Sequence, residues 1–125
     1  MLVETCKMLW PPEHGPRLRS DFRDGGKRTI LLIEVLGRNI KWTEPRDLTF
    51  DEAVALLTAP PTQADAHPVA TLPFAKPVFG RHVAFVDGEV KFLTAPISAK
   101  AAAALLSIDG GDDDDMTELN RAAQQ

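Results

Sequence analysis

The segment Arg81 to Leu93, RHVAFVDGEVKFL, constrains the fold more than any other stretch. Asp87-Gly88 lies between two alternating apolar runs, the strongest short-range signal for a β-hairpin. A two-residue turn pairs Val86 with Glu89, sets Phe85 opposite Val90, and sets Val83 opposite Phe92. Those four apolar side chains then share one face, because side chains alternate along a strand. His82, Ala84, Glu89 and Lys91 fall on the other, mostly wet face. Each aromatic to β-branched pair adds roughly 0.2–1 kcal/mol. Two strands alone are marginal in water, so the apolar face must pack on other elements.

The chain of 125 residues suits one domain with a sizeable core. Its net charge of −4 argues against nucleic acid, which selects basic surfaces. Cys6 is the only cysteine, which leaves neither an intrachain disulfide nor a cysteine cluster for a metal. No apolar run approaches membrane-spanning length, and the opening MLVETCKMLWPPEHG lacks the basic-then-apolar order of a signal peptide. The expectation is a soluble protein, cytoplasmic if Met1 is the true start.

Residues 1–23 read as an irregular arm interrupted by Pro11, Pro12 and Pro16, with Trp10 as a docking residue and His14 in a loop. After Asp24-Gly25-Gly26 comes Thr29 to Leu36, TILLIEVL, a nearly continuous apolar run. Such a run predicts a central strand covered on both faces. Glu34 is the odd residue within it. A carboxylate there needs hydrogen bonds or a cation. It is either a site carboxylate or a structural one tied to backbone amides or to Arg38 or Arg46, and the structural reading is preferred. Ile40 to Trp42 reads as a short edge strand.

Thr49 and Glu52 form a capping box for a helix whose apolar face is Phe50, Ala53, Val54 and Leu57. Leu48 and Ala53 occupy its staple positions, and Pro60-Pro61 end it. Residues 58–79 are rich in proline and alanine and predict a long surface loop. His67 and Asp65 within that loop carry no metal-like spacing. Ser98 caps a second helix with the stripe Ile97, Ala101, Leu105 and Ile108, stopped by Gly110-Gly111. The four aspartates of residues 112–115 lack the alternation, glycine and terminal glutamate of a calcium loop, so residues 112–125 read as an acidic disordered tail.

No nucleophile elbow, phosphate loop or zinc-protease motif is present in the sequence, and Cys6 has no evident scaffold as a nucleophile. The sequence therefore predicts no enzyme activity and no cofactor.

Three blocks, in order, resemble the C-terminal part of a bacterial family of prepilin-like proteins, domain of unknown function 1559. Asp24 to Glu34 resembles that family's Asp-Gly-Thr-Ser-Asn-Thr-Ile segment and following strand. Trp42-Thr43-Glu44-Pro45-Arg46-Asp47-Leu48 resembles its Trp-Thr-x-Pro-x-Asp-Leu block. His82 to Leu93 resembles its terminal Asn-Val-x-Phe-x-Asp-Gly-Ser-Val-Arg-Phe-Leu hairpin. Asp24, Gly25, Pro45, Asp87 and Gly88 are the motif residues with structural roles. The family's histidine, separated from Asp-Gly by nine residues, falls at Pro77. No prepilin leader or long apolar helix is read here, whereas members of this family are usually membrane-anchored or extracytoplasmic. The resemblance implies a pseudopilin-like globular head detached from its anchor, without catalysis, serving protein partners of a pilus-like or secretion-related system.

The sequence thus predicts an α+β fold over residues 24–111: a small antiparallel sheet with the Asp-Gly hairpin and two short helices packed on it, pseudopilin-head-like. Its expected role is a non-enzymatic structural or protein-interaction module. Trp42, Glu34, His82 and Lys91 are the contact candidates. Two alternatives stand beside it. One is a small-molecule or metal-binding module in which Glu34, His82 and Asp87 converge. The other is a truncated family fragment without a selected function.

Overall fold

The computed structural model describes residues 3–4, 20, 22, 26–38, 41, 43, 47–69, 73–74, 76–108, 110 and 113–123. It is a small α+β fold. In chain order its elements are β1 (Val3–Glu4), β2 (Ile30–Ile33), β3 (Leu48–Thr49), α1 (Phe50–Thr58), β4 (His67–Val69), β5 (Val78–Phe85), β6 (Val90–Leu93), α2 (Ala99–Leu106) and α3 (Asp113–Ala123). The long strand β5 organises the sheet and pairs antiparallel with β2, β4 and β6. β2 and β6 share partners on β5, so they lie along its opposite edges. β1 and β3 form a separate parallel pair.

The core is one contiguous cluster. Ile30, Ile33, Val83, Phe85 and Leu93 enter it from the sheet. Ala53, Leu56 and Leu57 enter from α1, Ala101, Ala102, Leu105 and Leu106 from α2, and Leu119 and Ala122 from α3. β2 is not the doubly covered central strand that its apolar run suggests. Its register with β5 shifts between Ile30 and Leu32, a bulge that makes Leu31 the extra residue. The bulge lets Ile30 and Ile33, three apart, both face the core, while Leu32 is turned outward and is 42% exposed.

The hairpin forms, but one residue out of the expected register. Gly88 N donates to Phe85 O at 3.0 Å, and Phe85 N donates to Glu89 O at 2.8 Å. Only Gly88 in this turn has positive φ (94°). The loop is therefore Val86-Asp87-Gly88, a turn closed by a glycine bulge, rather than a two-residue turn needing positive φ at both Asp87 and Gly88. The offset keeps Val83 and Phe85 inside but exchanges the faces of β6. His82 now pairs with Phe92, Val83 with Lys91 and Ala84 with Val90. Leu93 is buried, and Val90 stands 58% exposed. Gly80 makes the exchange possible, since a Cβ there would lie 2.4 Å from the Phe92 ring.

α1 follows its capping signals. Thr49 Oγ1 accepts from Glu52 N at 3.3 Å, and Thr49 N donates to Glu52 Oε2 at 3.0 Å. Ser98 caps α2 by accepting from Ala101 N, and α2 ends at Leu106, two residues short of Ile108. Two further expectations are corrected. The stretch 58–79 is not a continuous loop, because it supplies β4 and the first strand residues of β5. Residues 113–123 are not a disordered tail but helix α3, with Leu119 fully buried. Asp113, Asp114 and Asp115 lie in its first turn, where the helix dipole favours negative charge. Thr94 N and Thr94 Oγ1 both donate to Ala122 O, which ties α3 back to β6.

The expected edge strand at Ile40 and Trp42 lies outside the described residues, as do Trp10, Asp24, Gly25, Pro45 and Arg46. Of the N-terminal arm, Val3–Glu4 forms a strand rather than irregular chain.

Candidate functional site

The helices cover one face of the sheet, and the polar cluster lies on the other. Glu34 follows β2 directly opposite His82, and its backbone N donates to His82 O at 2.9 Å. The return bond of the ladder is replaced, because His82 N donates to the Glu34 carboxylate at Oε2, at 3.1 Å. The same Oε2 lies 2.8 Å from His82 Nδ1. The other oxygen, Oε1, lies 2.7 Å from His67 Nε2. One carboxylate thus joins β2, β4 and β5 across the open face.

This answers how a carboxylate is tolerated in an apolar strand. Glu34 is only 25% exposed, but it has one amide and two imidazoles as partners. Burial alone would raise its pKa. The hydrogen bonds from the His82 ring and amide, with the positive character of both imidazoles, outweigh burial and hold it below the ordinary carboxylate value. Arg38, one of the expected partners, instead bonds Glu52 Oε1 at 3.0 Å.

A carboxylate accepts hydrogen bonds only, so His82 Nδ1, facing Oε2, carries a proton, while His67 Nε2 meets Oε1 as an ion-pair contact. When the His82 ring is neutral, its Nε2 is then left with a lone pair. Both rings are about half exposed, with centroids 6.3 Å apart. His82 also leans on Phe92, at 4.6 Å between centroids. His67, Pro68, Val69, His82 and Phe92 line one open groove of about 430 Å³.

Of the expected site residues, Glu34 and His82 come together and Lys91 and Asp87 do not join them. Lys91 sits opposite Val83, on the face away from His82, and pairs with Glu89 at 2.8 Å. Asp87 shapes the turn, its Oδ1 accepting from Glu89 N at 3.0 Å. The structure thus brings Glu34 and His82 together, with Asp87 in the hairpin turn. His67 takes the place assigned to Asp87. No local pattern marks it, since it reaches the cluster only through the pairing of β4 with Gly80.

A second ion pair, with its arginine buried, lies beneath the site. Arg81 is 2% exposed, and its Nη2 donates to Asp65 Oδ2 at 3.1 Å. Asp65 also accepts from Thr62 N and Thr62 Oγ1. Among the described residues, Arg81 Nη1 has no hydrogen-bond partner. The Asp65 turn sets the chain up to enter β4 at His67.

No family model matches this sequence, and neither a curated protein nor a solved structure is significantly similar to it.

Proposed function

We propose that this chain is a non-enzymatic protein-interaction module, comparable in role to the globular head of a prepilin-like protein, and that it works through the open face of its sheet. The observation that carries this reading is the position of apolar side chains on that face. Leu32 and Val90 flank Ala84 there, 42% and 58% exposed, and both turn away from the helices. Val69 and Phe92 continue the same face beside the two imidazoles. Contiguous apolar surface rimmed by polar groups is characteristic of contact sites between proteins. The partner that fits is a protein presenting an apolar strip together with polar groups for the half-exposed rings of His67 and His82. The three blocks resembling the prepilin-like family support assembly with components of a pilus-like or secretion-related system. Among the described residues, no helix is long and apolar enough to cross a membrane.

The test is a photo-crosslinking amino acid placed at Val90 in the producing cell, with Lys100 on α2 as the control position. The reading expects one defined protein adduct from position 90 and none from position 100. The partner, once identified and purified, should bind the natural chain, and Leu32→Lys with Val90→Lys should weaken binding at least tenfold while amide spectra stay dispersed. Equal labelling from both positions, or unchanged binding by the folded lysine variant, contradicts the reading.

A further inference from the structure

We propose that His67 is a proton-operated latch: its charged ring holds β4 on β5, and its neutral ring releases β4. The proposal does not rest on the protein-interaction reading. It starts from how little else secures β4. The strand is three residues long, all of them exposed. Among the described strands it pairs with β5 alone, at Val78 to Gly80. Its middle residue, Pro68, has no N–H to give to the ladder. Short, exposed pairings of this kind open locally at little cost.

Two side-chain contacts tie this segment down, and they differ in kind. Asp65, two residues ahead of His67, meets the buried Arg81 at 3.1 Å and also accepts from Thr62. A carboxylate and a guanidinium are both charged from about pH 5 to 8, so this anchor is constant there. The other contact is His67 Nε2 on Glu34 Oε1 at 2.7 Å, an ion pair rather than a hydrogen bond. Its attraction exists only while the imidazole is protonated, and histidine is the side chain that changes charge between about pH 5 and 8. His82 is attached differently. Its Nδ1 is hydrogen-bonded to Glu34 Oε2 at 2.8 Å and its amide to the same oxygen at 3.1 Å, contacts that a neutral ring keeps. Loss of the proton therefore frees His67 and leaves His82 in place.

Among the described residues, the titratable groups facing His67 are Glu34, after β2, and His82, on β5. The two ring centroids are 6.3 Å apart, so a charged His82 repels a charged His67, and the Glu34 carboxylate on both rings offsets that repulsion. Phe92 of β6 brings no charge, and Lys91 beside it lies on the other face with Glu89. The latch is thus closed on the acid side and opens as pH rises through the histidine range. Opening carries His67, Pro68 and Val69 away from His82 and Phe92, which removes one wall of the groove and bares the edge of β5 from Val78 to Gly80.

The test is amide hydrogen exchange of the full chain, read by nuclear magnetic resonance at about pH 5.5 and about pH 8.5, on either side of the histidine range. Rates are corrected for the intrinsic pH dependence of exchange. Protection in His67, Val69 and Val78 to Gly80 should fall about twofold to fivefold at the alkaline pH, the scale of a partly exposed ion pair. The β2–β5 pairing around Ile33 and Val83 should keep its protection. His67→Lys, charged at both pH values, should stay protected at both. His67→Gln should show the lower protection at both, and His82→Gln should keep the response of the natural chain. The proposal is overturned if β4 of the natural chain is equally protected at both pH values, or if His67→Lys loses protection as the natural chain does. A response that survives in His67→Gln or vanishes in His82→Gln also overturns it. So does a loss of protection throughout the sheet, which reports unfolding of the whole domain rather than release of β4.

Discussion

At the residue scale, two carboxylates hold positive or proton-donating groups in place, and both are pushed below their ordinary pKa. For Asp65, burial opposes ionisation, but the hydrogen bonds from Thr62 and the charge of Arg81 outweigh it. For Glu34, burial is outweighed by His82 and His67. A carboxyl whose folded pKa is depressed contributes stability that is fully present above its unfolded value and is lost as pH falls through the folded one. Acid should therefore destabilise the protein in the carboxylate range. Glu34→Gln and Asp65→Asn should each flatten that part of the stability profile, measured by urea unfolding at stepped pH. At neutral pH, Asp65→Asn should cost about 2–3 kcal/mol. This is less than the full penalty for stranding a buried ion, because Asp65 itself is a third exposed.

At the element scale, the decisive features are a bulge, a turn and a glycine. The capping box of α1 and the Ser98 cap of α2 could be read from the sequence because a cap is a local contact, made within three residues. The hairpin's existence could be read from Asp87-Gly88 for the same reason. Its register could not, because that depends on a distant residue: the Phe92 ring needs the space above Gly80. His67 was hidden for a similar reason, since only pairing with β5 brings it to Glu34. Gly80→Ala should drive its new methyl group into Phe92 and cost about 1–3 kcal/mol by overpacking, seen as a lowered unfolding midpoint. The same variant should move the His82 ring resonances, since Phe92 packs on that ring.

At the scale of the whole molecule, the described helices α1, α2 and α3 close one face of the sheet, and no described element covers the other. The final helix completes the closed side. Its acidic start resembles a solvated tail, and the pattern that contradicts that impression is the spacing of Met116, Leu119 and Ala122–Ala123, with Leu119 and Ala122 buried. Leu119→Ala should cost about 2–5 kcal/mol by chemical denaturation, whereas an exposed tail residue would cost almost nothing. On the open side, a short run of strand residues carries both the apolar strip and the carboxylate that bridges two histidines. The proposed partner surface depends on that arrangement.

The most direct measurement is a long-range proton–nitrogen correlation spectrum of the histidine rings at neutral pH, in the natural chain and in Glu34→Gln. The account predicts His82 in the Nδ1-protonated form, which free imidazole disfavours. It also predicts that His82 returns to the ordinary tautomer mixture when Glu34 becomes glutamine. If His82 shows the ordinary mixture in both proteins, Glu34 does not hold the two rings, and the open face has no organised polar centre.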